Sequence, residues 1–243
     1  MREYEEWCET ASVLSEVGMY EEAITCYNRA LELEPECIDA WYNKGGILSE
    51  IFEDYFNALA CFDEVLEIDP TNDDVLVHKG KVLYELGMYE KALVCYYEAL
   101  KINPCHPWVP INKGNALLEL GRYEEAIACY DEGLKADTVH SYLWVCKGIA
   151  FKRLKRYQEA ITCYDNALKL KPDHQRALEE KQKALEILNS DKKAKTAWTS
   201  ADSRSLMMDI PPGSDSDNRL DHLSARGSDY RWAMTQKCAC WMA

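Results

Sequence analysis

Residues 41–70 read WYNKGGILSEIFEDYFNALACFDEVLEIDP. Large apolar and small residues recur at helical spacing, first from Trp41 through Gly45 and again from Tyr55 to Phe62, before Pro70 ends the second helix. The same skeleton recurs every 34 residues, with one slip of a single residue, in five segments: 7–35, 41–70, 76–104, 110–138 and 144–172. A fixed period of this length indicates a stacked array in which each unit buries its apolar face against its neighbours.

The order of Trp41, Gly45, Ala58 and Pro70 within one period resembles the tetratricopeptide repeat family. The resemblance covers roughly residues 4–190 and implies an all-α, right-handed α-solenoid of five tandem helix-turn-helix repeats. Arrays of this family bind other proteins and seldom catalyse a reaction, so the resemblance implies a non-catalytic interaction adaptor or scaffold. The repeats are expected at 4–37, 38–72, 73–106, 107–140 and 141–174.

The segment at 175–189 continues the helical register but carries many charges, as the polar end of a solenoid requires. We therefore expect a capping helix there. After residue 190 the period stops, and the segment 191–243 is rich in Ser, Asp, Lys and Arg and contains Pro211 and Pro212. This composition predicts a disordered tail. A tail that does not belong to the natural protein is the alternative.

The net charge of −14 is carried by the array, because all 25 Glu residues lie before residue 190. Neutralising nucleic-acid phosphates needs Lys and Arg, so an acidic array argues against DNA or RNA as a partner. No stretch approaches the roughly 20 apolar residues that cross a bilayer, and the N-terminus is acidic where a secretory signal would be basic and then apolar. We therefore expect a cytoplasmic protein that binds neither nucleic acid nor membrane.

Five of the 11 cysteines occupy one equivalent position in successive repeats: Cys26, Cys61, Cys95, Cys129 and Cys163. Stacked helices lie about 8–10 Å apart, whereas a disulfide needs Cα atoms within about 7 Å. These thiols are therefore predicted to be free, buried and structural. In the tail, Cys238 and Cys240 supply only half of a soft-metal site, so no metal or other cofactor is expected.

Two further columns of residues follow the repeat period. His106, His140 and His174 end successive repeats, too far apart to share one metal ion, and are interpreted as surface loop residues. A lysine precedes the core glycine in four repeats: Lys44, Lys79, Lys113 and Lys147. Its place beside the core favours a structural role, with the ammonium group reaching solvent or a nearby Glu. Anion binding is the alternative.

The first helices of a curved array line its concave groove, and residues opposite the core stripe face it. In the first three repeats this face carries seven carboxylates and one lysine; aromatic and amide side chains follow, and then a mixed to basic end. Cys146 and Ile149 are predicted to lie on the same face. The candidate partner-binding residues are Glu9, Asp39, Asn43, Glu50, Asp74, His78, Trp108, Asn112, Asn115, Tyr142, Arg153, Arg176 and Lys183.

This face predicts a protein or peptide ligand, with a solvated surface that binds nothing as the alternative. The carboxylate clamp of chaperone-tail-binding members of the resembled family is absent, because only Asn43 matches its pattern. We expect a monomer. The alternatives are a self-associating structural array, which would dock through the first repeat or the apolar end of the tail, and an arm of a larger enzyme assembly.

Overall fold

The structure is a computed structural model that describes residues 2–136 and 140–208; for 194–208 it describes the helical backbone alone. The described residues form helices and turns without a strand. The all-α repeat architecture predicted from the period is therefore confirmed. The helices are α1 (Glu3–Glu16), α2 (Tyr20–Leu33), α3 (Ile38–Glu50), α4 (Tyr55–Ile68), α5 (Asp73–Glu85), α6 (Tyr89–Ile102), α7 (Val109–Glu119), α8 (Tyr123–Ala136), α9 (Ser141–Arg153), α10 (Tyr157–Leu170) and α11 (Gln175–Met208).

Each repeat is a hairpin of two helices, and each hairpin packs on the next along the chain. The first helices of successive repeats also approach one another, α3 with α5, α5 with α7 and α7 with α9. Among the described helices, the second helices of successive repeats make no contact as extensive as that between the first helices. The first helices therefore line the inner, concave side of the array.

Within a hairpin, the two helices meet where an aromatic ring covers a glycine. A Cβ atom added to Gly80 would lie 2.4 Å from Cε1 of Tyr96, and the same overlap recurs between Gly114 and Tyr130. Tyr96 and Tyr130 are almost completely buried. The glycine of the repeat is therefore a close-approach residue, since any side chain at that place displaces the ring.

Two turns between paired helices lack the expected glycine. Lys155 takes a φ of 60° in the fifth repeat, and Glu53 a φ of 53° in the longer turn of the second. Left-handed backbone costs a non-glycine residue roughly 1–2 kcal/mol. The packing of the flanking helices maintains both turns, and the array continues through them.

The last helix is longer than predicted. A capping helix was expected at 175–189, and α11 runs from Gln175 to Met208, so the backbone is helical beyond the expected end. Ala194, Ala197 and Ala201 favour a helix, and neither Gly nor Pro occurs between residues 173 and 210. The contacts within the chain define one compact unit that ends at Asn189, inside α11. The remainder of the predicted tail, 209–243, lies outside the described residues.

Candidate functional site

Three of the predicted groove residues meet at the N-terminal end of the concave side. Glu9 of α1 and Asp39 and Asn43 of α3 line one open hollow of about 480 Å³. Cys8, Cys37 and further carboxylates border an adjoining hollow that shares Glu9 and Asp39. We call this continuous region the N-terminal hollow. Its carboxylates make it suited to a cationic side chain.

The next hollow along the groove holds Glu50 and His78, as predicted. Glu50 accepts a hydrogen bond of 2.8 Å from Lys81, so part of its charge is compensated within the array. Burial, followed by the charge of Lys81, lowers the pKa of His78. The imidazole is therefore neutral near pH 7. Sequence reasoning missed other lining residues, Ser49, Glu53, Tyr55 and Val82, because several belong to the turn or the second helix.

Asp74, in the third repeat, interacts with a buried histidine. His106 lies 3.1 Å from it, measured from Nε2 to Oδ1, and its Nδ1 accepts a hydrogen bond from the backbone amide of Trp108. The prediction that His106 is a surface loop residue is wrong, because its side chain is only 3% exposed. The loop turns inward because both ring nitrogens find partners there. The Asp74 carboxylate remains 72% exposed and accessible to a ligand.

Aromatic and amide side chains follow in the fourth and fifth repeats. Trp108 is 58% exposed at the N-cap of α7. Asn115 is held in place, since its Oδ1 accepts a hydrogen bond of 2.9 Å from the hydroxyl of the buried Tyr130. Tyr142 is half-buried against the core and interacts with Asn115. Asn112 is also half-buried, on α7.

Two residues predicted for this face do not offer surface to a ligand. Cys146 is 2% exposed and Ile149 is 7% exposed. Ile149 belongs to the same core cluster as Ala177 and Ala184 of α11. The capping helix therefore covers the part of α9 that the repeat pattern alone left open.

The C-terminal end of the groove presents the predicted basic side chains, Arg153, Arg176 and Lys183, all exposed. Lys183 donates a hydrogen bond of 3.0 Å to Glu180, which also pairs with Lys152. Burial acts to raise the pKa of Glu180, but the two lysines outweigh this effect and hold that pKa below its ordinary value. Glu180 therefore compensates part of the positive charge at this end.

Family models described as tetratricopeptide repeat or TPR repeat match five segments of the chain: 13–50, 38–72, 74–104, 111–138 and 141–174. Four of these segments coincide with the hairpins of the second to fifth repeats, and 13–50 runs from the end of α1 through α3. The chain belongs to the tetratricopeptide repeat family. No curated protein sequence matches it.

Solved tetratricopeptide structures resemble the array. YrrB, described as a TPR protein with an unusual peptide-binding site, is 26% identical, with a TM-score of 0.62 over 72% of this chain and 90% of its own. A tetratricopeptide repeat protein from Parabacteroides merdae ATCC 43184 is 21% identical, with a TM-score of 0.70 over 86% and 80%. MamA from Desulfovibrio magneticus RS-1 is 18% identical, with a TM-score of 0.59 over 71% and 97%. The last two show the fold alone.

The cysteine column of this tetratricopeptide array is buried, as predicted. Exposed fractions run from 2% for Cys61 to 8% for Cys26. Burial raises the pKa of Cys61 and of Cys163 to about 11, which keeps these thiols protonated at neutral pH. Within the described residues, no three His, Cys, Asp or Glu side chains lie together as a metal site would require.

Three lysines of the column, Lys79, Lys113 and Lys147, each contact the preceding tetratricopeptide repeat. Lys79 pairs with Asp63, and Lys147 with Asp131, each 16 residues earlier on the preceding second helix. At the same spacing, the ammonium group of Lys113 lies 4.6 Å from the centroid of the Tyr97 ring. The structural interpretation is confirmed, although the carboxylate partners are Asp rather than the predicted Glu.

Proposed function

We propose that this chain is a non-catalytic interaction adaptor that binds an extended segment of a partner protein in its concave groove. The observation that carries the proposal is the change in chemistry along the first helices. Exposed Glu9, Asp39 and Asp74 lie in the N-terminal half, and exposed Trp108 follows them. The family and the resemblance to an array described as having a peptide-binding site support the same function.

The chemistry of the groove defines the partner. A ligand segment would place Lys or Arg over the N-terminal hollow, an aromatic or large apolar side chain against Trp108, and an acidic group near Arg153 or Arg176. Asn115, fixed by Tyr130, would hydrogen bond to the ligand backbone. A cytoplasmic location is part of the proposal, since free buried thiols suit a reducing compartment. The array's acidity favours a protein over a nucleic acid as partner.

Selection from a random library of peptides of about 12 residues tests this function. We expect selected peptides to carry basic residues on one side of an aromatic residue, and to lose binding on the Trp108→Ala variant. Phe56→Ala is the matched control, because Phe56 is 75% exposed but lies on α4, a second helix. Peptides without basic residues, or equal losses in both variants, would contradict the proposal.

Self-association is the second candidate, and one feature favours it. Val13 of α1 and Val17, the C-cap residue of that helix, are 58% and 66% exposed. The positions equivalent to Val13 in the next two repeats, Ile47 and Val82, are buried against the preceding repeat. Sedimentation of the wild type and of Val13→Lys distinguishes the two functions. A dimer that the substitution dissociates supports self-association, and a monomer in both proteins removes it.

Within the residues that the structure describes, no helix combines the length and apolarity that crossing a bilayer requires.

A further inference from the structure

Two cysteines touch at the junction of the first and second repeats, at the edge of the N-terminal hollow. The Sγ atoms of Cys8 and Cys37 are 3.7 Å apart, although 29 residues separate them in the chain. Cys8 lies on α1 of the first repeat, and Cys37 is the N-cap of α3 in the second. Both are half-buried and border the hollow, so a small reagent reaches them.

This pair is unlike the buried cysteine column. The residues equivalent to Cys8 and Cys37 in the second repeat are Tyr42 and Asn72. In the third repeat they are Val77 and His106. The contact between thiols is therefore particular to the first junction. It is not a consequence of the repeat period, which places the column cysteines in separate layers of the stack.

The surroundings allow the two sulfur atoms to approach. A disulfide needs a separation of about 2.05 Å, so the atoms must move roughly 1.6 Å closer. Cys37 is the N-cap of α3, with φ of −72° and ψ of 94°, and its carbonyl accepts a hydrogen bond from the amide of Trp41. The approach therefore depends on rotation of the two cysteine side chains and on a shift of α1. Val13 of α1 and the C-cap residue Val17 are exposed, so this side of α1 is open and the helix is able to shift.

We propose that Cys8 and Cys37 are an oxidisable dithiol whose disulfide fastens the first repeat to the second. The proposal goes beyond the binding function, because it requires no partner protein. The oxidant is a low-molecular-weight disulfide. One cysteine thiolate attacks it and forms a mixed disulfide, releasing one small thiolate. The second cysteine thiolate then attacks the protein sulfur of that bond and releases the other. Two electrons and the two thiol protons pass to the small molecule, which leaves as two thiols.

Burial of Cys8 and its contact with Cys37 slow this reaction at neutral pH, and the carboxylates Asp39 and Glu5 contribute less. Burial, the contact with Cys37 and nearby negative charge raise the pKa of Cys8 to about 12. Since the thiolate is the attacking species, oxidation accelerates as the pH rises. The charged or titratable groups that border the two thiols are Arg2, Tyr4, Glu5, Glu9, Glu34, Glu36 and Asp39.

The test equilibrates the full, reduced chain with graded mixtures of oxidised and reduced glutathione. Disulfides are then mapped by mass spectrometry after digestion with trypsin and a Glu-specific protease, which cuts at Glu9 and separates Cys8 from Cys26. We expect a Cys8–Cys37 linkage in the folded protein, while the column cysteines stay reduced. Cys105→Ala, which removes an exposed cysteine, should retain the linkage, and Cys8→Ala and Cys37→Ala should each abolish it.

Hydrogen exchange supplies the second measurement. The cross-link restricts the opened state of the first repeat, so amide exchange in α1 should slow by about tenfold or more, while exchange in α10 stays unchanged. Separate glutathione adducts on Cys8 and Cys37 without a link between them would overturn the dithiol. A link that leaves exchange in α1 unaltered would overturn the fastening of the two repeats.

Discussion

The Tyr42 hydroxyl lies 2.9 Å from Nε2 of His78, and the two rings meet edge to face, with centroids 5.3 Å apart. This contact joins α3 to α5 across the second and third repeats, on the concave side. The imidazole is half-buried next to Phe62, with Glu50, Asp74, Lys81 and His106 contributing opposing charge effects. Burial dominates and lowers the pKa of His78, so the folded array favours the neutral ring.

The first prediction concerns this histidine and pH. The unfolded chain takes up a proton near the ordinary pKa of 6.5, whereas the folded array resists it, so stability should fall as the pH drops below 6.5. His78→Gln should reduce the difference in the free energy of unfolding between about pH 7 and about pH 5. Urea denaturation measures it, with His174→Gln as the control. An equal difference in wild type and His78→Gln would refute the assignment.

The second prediction concerns glycine packing. Gly80→Ala should destabilise the array by about 1–3 kcal/mol, because the new methyl group overlaps the buried ring of Tyr96. Gly46→Ala is the matched control, since no atom lies within 4 Å of its added Cβ. Alanine there should stabilise the array by roughly 0.5–1 kcal/mol through helix propensity. Thermal and urea unfolding measure the free energy of unfolding of both variants. Equal changes in the two variants would show that the contact between Gly80 and Tyr96 does not restrict the side chain at position 80.

The third prediction concerns thiol reactivity. The buried column, from Cys26 to Cys163, should resist alkylation in the native array, whereas exposed Cys105 should react quickly. Cys95→Ser should cost about 1–3 kcal/mol, since the hydroxyl would be buried among apolar side chains. Quantitative labelling with iodoacetamide, with and without denaturant, provides the measurement. Rapid native labelling of the column would show that the repeats open readily.

The fourth prediction separates anchoring from steering in the groove. With a peptide selected on the wild type, Trp108→Ala should weaken binding by about 2 kcal/mol, or roughly thirtyfold, at any ionic strength. Asp39→Lys and Asp74→Lys should act mainly at low salt, because exposed charges are screened over about 8 Å under physiological conditions. Titration calorimetry at two salt concentrations measures both effects. Unchanged affinity in Trp108→Ala would place the binding site elsewhere.

The repeat pattern was sufficient to predict the hairpins, because each is determined by contacts within about 34 residues. It also predicted the buried cysteines, which follow the same period. It could not predict that His106 turns inward, since this depends on Asp74 and on a loop that breaks the pattern at Pro107. Nor could it predict the burial of Ile149, which is caused by α11 rather than by the repeat itself.

The candidate site was predicted less completely than the fold. The pattern places residues on a face, and Glu9, Asp39 and Asn43 do meet in one hollow. Pairing within that face, such as Glu50 with Lys81, depends on side-chain reach between repeats, which a period does not specify. The binding role of these residues stays a prediction.

The ion pairs between repeats are unevenly distributed, and they make the N-terminal junction weaker than later junctions. An aspartate 16 residues earlier pairs with each of Lys79, Lys147 and Lys181. The residue 16 positions before Lys44 is Asn28, and the ammonium group of Lys44 lies over the Trp41 ring instead. Among the described residues, the first junction therefore lacks the lysine–aspartate pair that is present at three later junctions. Under tension or on heating, the array should begin to unfold at its N-terminal repeat. A ligand that spans the N-terminal hollow would stabilise the junction between the first and second repeats.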